Sequence, residues 1–283
     1  MSVGDKSVSR FFKEVFDAWS DVKSPRLGAA LAFYTIFAIA PLVLLTISVA
    51  GMWFGPERAR DELFNQLNGL VGSEGGRAIQ SLVAAANQPK VGLWATIGAL
   101  GTLVAGATGV FVELQDALNT IWGVQRKTGQ GLRYLIKDRL LSFGMVLAIG
   151  FLLLVSLILD AGLSALGAFA SSFAPAAHII WTGINFAASL FVITMLFAVI
   201  YKGLPDVDIA WRDVWMGAFV TAILFNVGKF LIGYYLGRSS MVSIYGAAGS
   251  FIVLLMWIYY SSQIFFFGAE FTRVYAETTG SKQ

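Results

Sequence analysis

The stretch Tyr245 to Phe271 reads YGAAGSFIVLLMWIYYSSQIFFFGAEF and carries no Asp, Glu, Lys or Arg before Glu270. About 20 apolar residues in a helix cross a hydrocarbon core. Inside lipid only a helix or a closed barrel satisfies its own backbone polar groups. A continuous apolar run of this length, with no alternation of period two, is a spanning helix. The run marks a span over about 244–267, and five others share its character: about 27–55, which contains Pro41; 91–112, dense in Gly, Ala and Thr; 140–159; 179–201; and 214–236. The fold class expected is all-α, a polytopic membrane helix bundle with six transmembrane helices. The membrane domain covers 27–277, after a cytoplasmic amphipathic segment at 1–26 and before a short cytoplasmic tail at 278–283.

Composition agrees with this reading. Hydrophobic residues make up 57% of the chain and charged residues 13%, against about 25% charged in soluble domains, so this chain could not cover itself in water. Cysteine is absent, which excludes disulfides and thiolate metal sites. His178 is the one histidine and falls at a helix end, which leaves little for histidine-based catalysis or metal binding. No phosphate loop is present, since Gly228-Lys229 is followed by Phe230. No cofactor and no enzymatic activity are expected.

The lysines and arginines set the orientation. Fourteen fall in 1–26, between the second and third spans, between the fourth and fifth, and in the tail; five fall on the other side; Lys229 lies inside the fifth span. Both termini are therefore expected in the cytoplasm, and the basic balance reads as a topology signal, with no nucleic-acid partner required. Met1 to Arg26 lacks the apolar core of a cleaved signal. Phe11, Phe12, Val15, Phe16 and Trp19 recur there at helical spacing among charged residues, the pattern of a helix lying flat in the membrane interface. A short helix packed on the protein would carry the same stripe. The outer loop, 56–90, has two apolar stripes separated by Gly72, Gly75 and Gly76, which predicts a helical hairpin over the outer mouth of the bundle.

Lys229 is the most informative single residue, because an ammonium in a span costs at least a few kcal/mol unless it finds a partner or water. Asn226 lies one turn before it, with Ala222 and Gly233 on the same stripe. One reading is a cation in a cavity that attracts an anionic group such as a lipid phosphate. The other is a lysine that snorkels to the outer interface. Tyr34, Thr35 and the kink expected at Pro41 could line such a cavity, as could Tyr259 and Tyr260, whose hydroxyls fall mid-span and call for partners. At the cytoplasmic end, Glu113 and Asp116, Arg139, and Glu270 and Arg273 are candidates for an ion-pair cluster that staples helix ends, or for a transport site.

Several stretches together resemble a known family: ALAFYTIFAIAPL at Ala30 to Leu42, ALNTIW at Ala117 to Trp122, RLLSFGMVLAIGFLLLVSL at Arg139 to Leu157, YKGLPDVDIAWRDVW at Tyr201 to Trp215, and the Tyr245 to Phe271 run. They are similar to the YihY/virulence factor BrkB family of bacterial inner-membrane proteins, over about Phe11 to Glu277. The resemblance implies a multi-pass helix bundle in the bacterial inner (plasma) membrane, and it points toward transport, including movement of lipid, and toward resistance to complement. An older ribonuclease label for the family conflicts with the residue inventory above. The expected function is a transporter or flippase-like protein for an amphipathic, anionic substrate, with membrane lipids as partners. Two alternatives belong to other classes: a non-transporting scaffold for envelope protein partners, and a membrane-bound enzyme. An inward polar cavity reaching Lys229 would favour transport, and a solid bundle with an exposed apolar groove would favour the scaffold.

Overall fold

A computed structural model of the chain describes residues 3–86, 109–124, 177–238, 245 and 248–278. The described residues form seven helices, which we label α1 (Val3–Asp21), α2 (Ser24–Phe54), α3 (Pro56–Ala86), α4 (109–121), α5 (Ala177–Gly203), α6 (Trp211–Arg238) and α7 (Gly249–Thr278). The third span, most of the second, Arg139 and residues 279–283 of the tail lie outside the described residues.

Helices α5, α6 and α7 are each long and apolar enough to cross a membrane, and α2 makes a fourth if its two bent halves count as one span. Their outward faces are apolar. Phe186 and Phe191 on α5, and Phe219, Ile223, Val227 and Phe230 on α6, are exposed. Such faces are stable against lipid and unstable against water. On α6 the exposed set begins with Trp211 and Trp215 and ends with Tyr234 and Tyr235. Trp215 and Tyr234 stand about 28 Å apart along the axis at 1.5 Å per residue, close to the thickness of a hydrocarbon core of about 30 Å, and aromatic residues favour its two borders.

Helix α1 ends at a two-residue corner, Val22-Lys23, where Lys23 takes a left-handed conformation with φ 56°. Pro25 then sits in the first turn of α2, where its missing N–H would have no helical partner in any case. α2 bends by 40° between Ala40 and Leu42. Pro41 accounts for the bend, since it has no N–H to give to the carbonyl of Phe37. A sharp turn follows at Gly55, φ 84°.

α3 is a hairpin. The backbone is non-helical at Gly72, with φ 78° and ψ 171°, a region open essentially to glycine alone. A Cβ on Gly76 would stand 3.6 Å from the Cα of Asn68, although residues eight apart on a straight helix are about 12 Å apart. Gly72 alone makes the break; Gly75 and Gly76 are helical and buried between the two legs. The hairpin does not merely cap the bundle. Phe64, Val71, Ala78, Ile79 and Val83 form one apolar cluster with Ile36, Ala40 and Val43 of α2 and Leu254 and Ile258 of α7.

A larger cluster occupies the opposite end. It joins Leu31 of α2, Phe111, Leu114, Leu118 and Ile121 of α4, Phe197 and Tyr201 of α5, Val214, Ala218 and Ala222 of α6, and Phe265, Phe266 and Ala269 of α7. α7 therefore touches both clusters and acts as the axis of the bundle. As a helix it continues to Thr278, eleven residues beyond the 244–267 stretch expected to span the membrane. α4 likewise continues beyond Glu113 and Asp116. It stops in a Schellman arrangement at Gly123, φ 65°, with Val124 N–H on the Asn119 carbonyl at 2.8 Å and Gly123 N–H on that of Thr120 at 3.1 Å.

Candidate functional site

Polar groups buried in an apolar bundle need partners, and the described partners between helices concentrate at the α5–α6 end. Gln115 and Asn119 lie one turn apart on α4 among Leu114, Ala117 and Leu118, and both are buried. They grip Asp206, in the connection between α5 and α6. Asn119 Nδ2 donates to Asp206 Oδ2 at 2.8 Å, Asp206 N–H donates to Asn119 Oδ1 at 2.8 Å, and Gln115 Nε2 donates to Asp206 Oδ1 at 3.3 Å. The same connection is held from its other side by Lys202, whose Nζ donates to the Ile209 carbonyl at 2.6 Å and pairs with Asp208 at 2.5 Å.

A second tie lies deeper. Tyr201 is fully buried, and its hydroxyl donates to the Phe265 carbonyl at 2.7 Å and lies 3.1 Å from Thr221 Oγ1. Three glycines allow this approach of α6 to α7. A Cβ on Gly217 would overlap Thr272 Oγ1, one on Gly268 would overlap Thr221 Oγ1, and one on Gly228 would overlap Ile264 Cδ1 and stand 3.0 Å from Tyr260 Cε1. Small residues that admit a neighbouring helix are the usual means of close packing in membranes.

The expected ionic residues divide. Glu270 is fully buried on α7; its Oε2 accepts from Arg273 Nε at 2.9 Å, while its Oε1 is buried with no hydrogen-bond partner among the described residues. Arg273 also pairs with Glu277 at 3.1 Å. Glu113 and Asp116 sit together on α4, where partial burial first and the Asp116 carboxylate second push the Glu113 carboxyl above its ordinary range. Arg139 lies outside the described residues.

Lys229 is half-buried and makes no hydrogen bond or ion pair among the described residues. At about 100° per residue it falls between the buried Ile232 and Ala222 on α6, near the edge of that face where the exposed Gly233 follows. At 1.5 Å per residue it stands about 8 Å inside Tyr234. Asn226, half-buried, turns its Nδ2 back to the Ala222 carbonyl at 2.9 Å. Gly233, on the same stripe, is exposed, and a Cβ there would have no described atom within 4 Å. Tyr260 borders Gly228. Tyr259 is exposed, and neither tyrosine hydroxyl has a hydrogen bond among the described residues. On α2, Thr35 Oγ1 donates to the Leu31 carbonyl at 2.7 Å, and the Tyr34 ring would stand 2.9 Å from a Cβ on Gly109. Tyr260 thus borders α6 and Tyr34 borders α4, Asn226 and Thr35 bond within their own helices, and the described residues do not bring these side chains together with Lys229. Of the clefts described, one lies between α1 and the end of α7 and one within the hairpin; none of these seven residues lines either.

Long apolar helices, lipid-compatible outer faces and a polar-tied interior define a multi-pass α-helical membrane protein. The family model described as Virulence factor BrkB matches residues 15–283, and the chain belongs to that family. It is 26% identical over 281 residues to a UPF0761 membrane protein of Teredinibacter turnerae, covering 95% of this chain and 60% of the relative. It is 25% identical over 259 residues to one of Neisseria meningitidis serogroup B, covering 90% and 61%. It is 25% identical over 268 residues to one of Actinobacillus pleuropneumoniae serotype 5b, covering 93% and 92%. The chain thus spans about three fifths of the length of the first two relatives. All three are named as membrane proteins, with no enzyme activity in the name. No solved structure matches the chain.

Proposed function

We propose that the chain is a six-span bacterial inner-membrane protein with both termini in the cytoplasm, acting as a transporter or flippase-like protein for an amphipathic anionic substrate such as a lipid. The observation that carries the reading is Lys229. It is a cation without a described partner on a helix apolar enough to cross a membrane, about 8 Å inside the nearer aromatic border. A charge at that depth persists when water, a counter-charge or a ligand reaches it. The flank position of Lys229, beside the closely packed Gly228 and next to the lipid-exposed face, suits a headgroup that arrives sideways from the bilayer. The unequal distribution of lysine and arginine supports the orientation, and the apolar runs at 91–112 and 140–159 supply the remaining two spans.

Two measurements test the reading. Cysteines introduced singly at Ser20 and Ser73 in this cysteine-free chain report topology in intact spheroplasts: an impermeant thiol reagent labels position 73 and spares position 20, and the reverse pattern overturns the orientation. Thermal stabilisation by added phosphatidylglycerol reports the site. Wild type is stabilised and Lys229→Met much less so, with the two folding equally without lipid; equal stabilisation of both removes the headgroup from Lys229.

A further inference from the structure

We propose that the junction of α1, α2 and α7 holds a binding site for a monovalent cation, sodium or potassium, between Ser24 Oγ, Gln263 Oε1 and Glu270 Oε1. The site is separate from Lys229, and the inference does not depend on transport.

Each of these three oxygens is buried and lacks a hydrogen-bond partner among the described residues. A buried acceptor in that state calls for a bound water or ion. The fold brings the three to one place. On α7, Gln263 and Glu270 are two turns apart and about 20° apart round the axis, so they share one face. That face meets α2: Gln263 Nε2 reaches the Ser24 carbonyl at 3.5 Å, and a Cβ on Gly28 would overlap the same amide. Ser24 is fully buried in the first turn of α2. Later residues of α2, Ile36 to Val43, meet earlier residues of α7, Leu254 and Ile258, so the two helices are antiparallel. Ser24, one turn before Gly28, therefore falls between the levels of Gln263 and Glu270. Asp21, at the end of α1, lies within electrostatic reach of Glu270, which puts the carboxylate beside the corner from which α2 starts.

The supply of donors and charge selects the occupant. The buried donors at the junction are the Ser24 hydroxyl itself and the indole N–H of Trp19, which packs on the cluster formed by Leu31, Phe266 and Ala269 and has no described partner. Each of the three oxygens carries two lone pairs, so acceptors remain in excess. Within electrostatic reach of Glu270 stand one guanidinium, that of Arg273, and two more carboxylates, Glu277 and Asp21. Water would bring donors without charge; a cation answers both shortages. Arg10 and Lys13 line the adjoining cleft, but Glu14 and Asp17 line it with them and offset their charge. Among the described residues no three acidic, histidine or thiol side chains converge closely enough for a divalent ion. One carboxylate oxygen with two neutral oxygens suits a single positive charge. Asp21 and Arg273 line the cleft between α1 and the end of α7, which gives the ion a path from water.

The test is thermal unfolding of the full chain in detergent, in sodium, potassium or choline chloride at one ionic strength. Wild type is steadier in sodium or potassium than in choline, and the gain saturates with concentration, reaching about 3 °C at ten times the dissociation constant. Ser24→Ala and Gln263→Met each remove one oxygen from the site while keeping the helix contacts, and each raises the dissociation constant at least tenfold. Glu270→Gln abolishes the response; should that variant fail to fold, the other two carry the test. Equal stability of wild type in all three salts overturns the proposal and leaves water as the occupant. A cation response of wild-type strength in either Ser24→Ala or Gln263→Met places the ion elsewhere and overturns it as well.

Discussion

Where α5 hands over to α6, side chains bond across helices: Asn119 and Gln115 to Asp206, Tyr201 to the Phe265 carbonyl and Thr221, and Gly217 and Gly268 seating the threonines of the facing helix. Where α2 hands over to the hairpin, the contacts are of another kind. Ile36, Val43, Phe64, Ile79, Val83, Leu254 and Ile258 meet through apolar surface, and the chain there is bent at Pro41 and broken at Gly72. Apolar packing between helices in a membrane lacks much of the hydrophobic drive it has in water, because lipid tails offer a similar environment. Directional bonds hold one register. Apolar faces with a built-in bend can slide and repack at modest cost. The comparison teaches that the bundle has a fixed end and an adaptable end, and Lys229, toward the C-terminal end of α6, belongs with the second.

The sharpest way to break this contrast is Gly268→Ala. The added methyl meets Thr221 Oγ1 and stands 2.7 Å from the Tyr201 hydroxyl, so it separates α6 from α7. We expect a loss of about 2–3 kcal/mol in thermal unfolding in detergent, as for overpacked cores, with partial recovery in the double variant Gly268→Ala/Thr221→Ala. A neutral Gly268→Ala would mean that the fixed end is loosely packed. Asp206→Ala comes next. It leaves the carboxamides of Gln115 and Asn119 without their acceptor, and we expect a loss of about 2 kcal/mol, tempered by the solvent that reaches the exposed Asp206 loop. At the adaptable end, Gly72→Ala forces a Cβ onto φ 78° and ψ 171°. We expect about 1–2 kcal/mol of destabilisation by the same assay, and faster hydrogen exchange confined to 56–86. Loss of protection spreading to 211–222 would show that the two ends are one cooperative unit. Smallest is Tyr201→Phe, which removes a hydroxyl and leaves a carbonyl that its own helix can still satisfy: about 1 kcal/mol.

The parts of the fold visible in the sequence were those written locally. The long apolar runs of α5, α6 and α7 announce membrane helices, Pro41 announces the bend, and the paired stripes of 56–86 with Gly72 between them announce the hairpin. The helix of α7 continues to Thr278 past the end of the apolar run, which falls at Glu270. Its carboxylate is paired with Arg273 one turn on and covered by neighbouring helices, so the charge does not terminate the segment. Which part of the α1 stripe is covered was not legible: periodicity shows that Val15 and Phe16 are both apolar but not that α7 covers only the first. The Asn119–Asp206 and Tyr201–Phe265 ties join residues far apart in the chain, and no local pattern specifies such pairs. Two carboxamides spaced one turn apart inside an otherwise apolar face of α4 were a usable hint, since buried amides demand partners. The Lys229 stripe was half right in position: Ala222 is buried as the small-residue pattern implied, while Gly233 is exposed.

The claim at the centre of this account is that Lys229 marks a place where an anionic headgroup enters the adaptable end. The most direct measurement is translocation of a headgroup-labelled phosphatidylglycerol in proteoliposomes, comparing wild type, Lys229→Met and Lys229→Arg with protein-free vesicles. The account predicts translocation above the protein-free rate for wild type, its loss in Lys229→Met with the fold intact, and substantial retention in Lys229→Arg, which keeps the charge. Wild type and Lys229→Met moving the lipid at the same rate, or wild type moving it no faster than vesicles without protein, would contradict it.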